Sequence, residues 1–170
     1  MFYLITLFSF ILLTSFILIG MKKFGQLQSY SAYSSKWESY MPLTSTTNLW
    51  SIVTFIAAIL IIPAMVNLGE GNFLQCIGFF TPVYLIAVSQ TPDWETVPLQ
   101  HKIHMAFAIL CAVGNILWIC LICKLWWVIL IVASILGFYA YRKHSLWQNK
   151  IFWGEMIMFL SAYLSILISL

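Results

Sequence analysis

Charge is scarce in this chain. Asp, Glu, Lys and Arg make up 8% of its 170 residues, against roughly 25% in an ordinary soluble domain. So few charges cannot cover a water-facing surface, and the composition, 62% hydrophobic, suits a membrane as solvent. Nowhere do the eight Lys and Arg gather into a run suited to nucleic acid, so no nucleic-acid partner is expected. Four cysteines, Cys76, Cys111, Cys120 and Cys123, sit inside or beside apolar segments. They read as small packing residues and not as a disulfide framework. No basic stretch precedes the first apolar run and no small-residue cleavage site follows it, so that run reads as a retained span and not a removed signal. No internal repeat suggests a transporter built from two inverted halves.

What is present is a series of six apolar segments, at 2–20, 48–66, 73–89, 103–123, 125–141 and 151–170. Each is expected to cross about 30 Å of hydrocarbon, the third and fifth at the short limit. Helix is nearly forced there, since the backbone has no water to bond. The expected fold is all-α, a single polytopic bundle of six transmembrane helices over residues 1–170. Lys124, followed by Trp126 and Trp127, breaks the long run 103–141 and marks a tight hairpin at a membrane surface. With six spans, Lys22, Lys23, Lys36, Lys102, Arg142, Lys143 and Lys150 share one side and Lys124 alone lies on the other. That bias places the richer side in the cytoplasm and both termini outside. The first loop, 21–46, is long and rich in Ser and Tyr. An ordinary interfacial loop is the simpler reading; a segment folded into the bundle mouth is the functional one. Pro63 and Pro82 fall inside spans two and three, where a bend is expected.

Polar chemistry concentrates between Thr91 and Asn115. Thr91-Pro92-Asp93-Trp94-Glu95 has the signature of a helix start, with a hydroxyl cap, a proline and then acids near the positive end of the dipole. Pro98 is expected to end that helix within about a turn, with the fourth span beginning near Gln100. On that span His101, His104, Ala108, Cys111 and Asn115 recur at 3, 4, 3, 4 spacing and share one face turned into the bundle. Glu155 lies five residues into the last segment. An acid within a span costs on the order of 2.5–3.5 kcal/mol at its centre, so Glu155 should face inward with a partner, either His104 or Lys102.

His101, His104 and His144, with Asp93, offer the residue types of a zinc site. A hydrogen-bonded network without metal is the simpler expectation for them. Cys120 and Cys123 form a CxxC that would suit a thiol oxidase, but Cys76 and Cys111 lie in different spans and make a poor second exchangeable pair.

The stretches SYSAYSSKWESY at 29–40 and SQTPDWETVPLQHKIHMAFAILCA at 89–112 resemble an uncharacterised family of small polytopic membrane proteins of bacteria and their phages. The resemblance implies a bacterial plasma membrane and supplies no activity. A fainter likeness is to the seven-span ceramidase and progestin-receptor superfamily, which holds zinc with Ser, Asp and three His. The sixth segment here has no histidine, so zinc and hydrolase activity are not carried over.

The expected function is binding of a small amphiphile or lipid headgroup in a cytoplasm-facing polar cavity built from Asp93, His101, His104, Asn115 and Glu155. The expected partners are therefore membrane lipid and a small amphiphilic ligand. Alternatives are a metal-dependent membrane lipid hydrolase and an ion or proton pathway through Glu155, His104 and Asn115.

Overall fold

An apolar run of this length leaves its backbone polar groups no partners but one another, and each of the six segments duly forms a helix. The computed structural model describes residues 1–41, 48–71, 73–91, 94–143 and 148–170. Over these the chain is all-α, with seven helices. They are α1 (Phe2–Phe24), α2 (Tyr33–Tyr40), α3 (Leu49–Leu68), α4 (Gln75–Ser89), α5 (Pro98–Trp118), α6 (Trp126–Arg142) and α7 (Lys150–Ser169). Four are long and apolar enough to cross a membrane: α1, α3, α7 and α5, the last prolonged by a π-helical turn at Ile119–Cys123. At 15 and 17 residues, α4 and α6 are apolar but shorter. They rise about 22 and 25 Å, less than a hydrocarbon core of about 30 Å. The expected six spans thus divide into four full-length helices and two short ones.

Consecutive apolar helices alternate in direction. At one end, here the loop end, the last turns of α1, α4 and α6 meet the first turns of α3, α5 and α7. Thr91 after α4 bonds His104 of α5, Phe152 N of α7 donates to Gln28 O after α1 at 2.9 Å, and Tyr139 of α6 packs edge-on against Trp153 of α7. At the opposite end the buried indole of Trp118 donates to Met65 O of α3 at 3.4 Å. The left-handed backbone of Lys124 (φ 56°) reverses the chain there between α5 and α6.

The centre of the bundle is the meeting of α1, α3 and α7. Ser9 donates to Ala57 O at 2.9 Å, which spends its one proton, so the Tyr163 hydroxyl at 2.7 Å is the donor to Ser9. On one flank α4 packs on α3 and α5 on α4. On the other, α6 packs chiefly on α7 and buries only Val128, Val132 and Ala140. The short helix α2 closes the loop end. Its Trp37 is buried and stacks on Phe16 of α1, ring centroids 5.1 Å apart. Tyr33 packs where a Cβ on Gly20 would stand 3.1 Å from its ring. The Ser/Tyr loop is therefore folded into the bundle mouth over its described residues, and the interfacial-loop reading gives way. The cause is its aromatic content, which repays burial against α1 and α3.

The roles expected of Pro98 and Thr91 are also revised. Pro98 opens α5 from its first turn instead of ending an earlier helix. The Thr91 hydroxyl turns back to Val88 O at 2.7 Å, closing α4 instead of capping a following helix. Pro92, Asp93 and His144 lie outside the described residues.

Close approach of α3, α4 and α5 depends on absent side chains, as is usual where membrane helices pack. A Cβ on Gly78 would stand 2.7 Å from Met65 O. Nothing lies within 4 Å of the equivalent atom on Gly137 of α6. Gly78→Ala is expected to destabilise the protein by about 1–3 kcal/mol, whereas Gly137→Ala should stabilise it by up to about 1 kcal/mol through helix propensity. Thermal unfolding in detergent micelles reads both; equal effects would contradict the packing.

Candidate functional site

The loop end gathers most of the polar side chains singled out in the sequence, around a segment that is not helical. After α1 the chain runs through Gln28, Ser29, Tyr30 and Ser31 beside the first turns of α7. The first N–H groups of any helix lack intrahelical acceptors, and Gln28 O takes one of them, that of Phe152. Glu155, one turn further on, answers in the other direction: its Oε2 accepts the Tyr30 backbone N–H at 2.5 Å. Tyr30 then plunges into the core, its hydroxyl 2.7 Å from Thr54 Oγ1 and its ring against Trp50 and Phe159. Burial raises the Tyr30 and Tyr33 phenols above their ordinary pKa, so both remain neutral hydroxyls.

Ser31 joins the two ionisable groups. Its hydroxyl lies 3.0 Å from His104 Nε2 and 3.5 Å from Glu155 Oε1. On the far side of the imidazole, Nδ1 lies 2.9 Å from Thr91 Oγ1. Thr91 has one hydroxyl proton and gives it to Val88 O, so it accepts from an Nδ1–H. This fixes one half of the tautomer. For the other half, the same heavy-atom positions accommodate two proton arrangements. In one, Glu155 is protonated and donates to Ser31, which donates to Nε2. In the other, Nε2–H donates to Ser31, which donates to a carboxylate. Trp94 covers the arrangement, its indole stacked on His104 at 4.7 Å and 15° and its N–H directed to Ser31 O at 3.4 Å.

The expected pairing of Glu155 with His104 thus takes the form of a bridge through Ser31. Lys102 is exposed and has no part in it. The expected inward face of α5 is only partly realised: His104, Cys111 and Asn115 are buried, while His101 is exposed and stacks beside Trp94 at 5.8 Å. His101 lies in the first turn of α5, where Leu99 and Lys102 are also exposed and no neighbouring helix covers it. Ser31 and Thr91 complete the network and are not among the five site residues expected from the sequence, where Thr91 reads as a helix cap. The loop's Ser/Tyr mixture and the threonine after an apolar run were the available signals.

Below this network a cavity of about 400 Å³ opens between α4, α5 and α7. Glu155 and Ser31 stand at its polar end, and Asn115 lies on the same α5 face as Ala108, Cys111 and Ala112. Apolar side chains, among them Leu85, Met158 and Phe159, supply most of the wall. The α5 lining from Ala108 to Asn115 rises about 10 Å along the helix, giving an elongated slot. His104 stands behind Ser31 and does not line it. No three His, Cys, Asp or Glu side chains converge as metal ligands among the described residues. No protein-family profile, curated protein or solved structure matches the chain.

Ser31 is the test of the bridge. Ser31→Ala leaves a buried imidazole nitrogen without its partner and should cost about 1–3 kcal/mol in unfolding. In a double-mutant cycle with His104→Phe the two losses should fall short of additivity by at least about 0.5 kcal/mol. Strict additivity would mean the contact carries no coupling.

Proposed function

We propose that this chain is a six-span integral membrane protein, both termini outside the cytoplasm, that binds a small amphiphile in the slot between α4, α5 and α7. The observation carrying the reading is the slot itself, apolar along its length with a carboxylate at one end and an amide in its wall. Mostly apolar concavities of a few hundred Å³ with a few convergent polar groups are what small-molecule sites look like. An alkyl chain would lie along Leu85, Cys111 and Met158, with its polar head toward Glu155.

The charge distribution supports the orientation. Lys22, Lys23, Lys36, Lys102, Arg142, Lys143 and Lys150 all belong to the loop end, and Lys124 to the other, as expected when the loop end faces the cytoplasm. Trp126 and Trp127 at one end of α6 and Tyr139 and Tyr141 at the other are exposed, which suits interfacial anchoring of a short span. The metal-dependent hydrolase reading is less well supported: His104 has both ring nitrogens engaged by hydroxyls.

Two measurements test the proposal. In a background carrying a single cysteine, exposed Cys76 at the start of α4 should react with a membrane-impermeant maleimide in intact cells, and Lys36→Cys only after permeabilisation. The reverse pattern would overturn the orientation. Native mass spectrometry of protein released from micelles should find a retained amphiphile, lost in Ala112→Trp, which fills the slot. Retention unchanged in that variant would move the ligand elsewhere.

A further inference from the structure

The chemistry of the slot restricts the head group its ligand carries. In its ionised arrangement Glu155 accepts two hydrogen bonds, from the Tyr30 N–H and the Ser31 hydroxyl. A carboxylate has about four acceptor positions, so it retains capacity for a further donor. No Lys, Arg or His lines the slot among the described residues. Asn115 gives one of its two Nδ2 hydrogens to Cys111 Sγ at 3.7 Å, so its amide keeps an oxygen and one N–H for a ligand. The charged group on offer, the ionised Glu155, is thus an acceptor, and the amide can serve as either. An anionic head would be repelled by the carboxylate across an apolar wall, and a hydroxyl head would bring it no opposite charge. A protonated amine supplies both the donors and the opposite charge.

Resting on the amphiphile-binding reading, we infer that the slot is selective for an organic ammonium group on an apolar chain, the nitrogen on Glu155 and the chain along α5 and α7. Gly154, beside Glu155 in the slot's lining, has nothing within 4 Å of a Cβ position. Charge-assisted bonds are shorter and stronger than neutral ones, and most so where water is excluded. Selectivity for the ammonium over a matched alcohol should therefore be about tenfold or more.

The test is calorimetric titration of the full chain in maltoside micelles, with protein-free micelles subtracted, using dodecylamine, dodecanol and dodecanoate. Dodecylamine is expected to bind at least about tenfold more tightly than either, and Glu155→Gln, which still accepts the Tyr30 N–H, should bring amine and alcohol to within about twofold. Ala112→Trp, which leaves the carboxylate untouched, should weaken amine and alcohol alike. If the wild type binds all three equally and Ala112→Trp abolishes that binding, the ammonium selectivity fails while the amphiphile site stands. If none binds, both fail. Preference for the amine that survives Glu155→Gln also overturns the inference. An ammonium group can belong to a free amine or a lipid headgroup, and added phosphatidylethanolamine separates them. Competition with dodecylamine assigns the lipid, and its absence the free amine.

Discussion

A carboxylate holding a stretch of non-helical backbone is the contact on which this end of the molecule depends. Residues 25–32 have no helix to satisfy their peptide groups, and among apolar helices each orphaned group costs free energy comparable to a lost hydrogen bond. The first turn of α7 has the complementary problem, N–H groups without acceptors. Gln28 O accepting from Phe152, and Glu155 returning a bond to Tyr30 N, resolve both at once. The exchange resembles a capping box distributed over two distant parts of the chain. It sets the register of the loop to the residue, which sends Tyr30 inward to Thr54 and lays Ser31 between Glu155 and His104.

That exchange also explains which parts of the site the sequence could reveal. Hydropathy and helical spacing locate α1, α3, α4, α5, α6 and α7, because in each the burial pattern is imposed by the solvent along the whole segment. The cost of a charge in a span was enough to turn Glu155 inward and toward His104. It was not enough to find Ser31. A serine in a serine-rich loop has no periodicity to set it apart, and its role comes from a register fixed by residues more than a hundred positions away. His101 shows the converse limit. Its spacing matches the inward face of α5, but periodicity gives an angle about the helix and not how far along the axis neighbours extend to cover it. The helix α2 was missed for a related reason: at eight residues it is too short to hold itself together and exists because Trp37 and Tyr33 bury against α1.

The bridge and the slot share Glu155, and sharing has a thermodynamic consequence. The side of the carboxylate that holds Tyr30 and Ser31 maintains the loop, and the remaining acceptor capacity faces the cavity. A cation brought to the cavity side favours the ionised carboxylate, and with it the arrangement in which Ser31 donates to Glu155 and His104 donates to Ser31. A neutral head imposes no such preference between the two arrangements. Linkage is reciprocal, so whatever stabilises the protonated imidazole under Trp94 must favour an ammonium ligand by the same factor. Loop, imidazole and the carboxylate that lines the slot are therefore joined through a single serine hydroxyl.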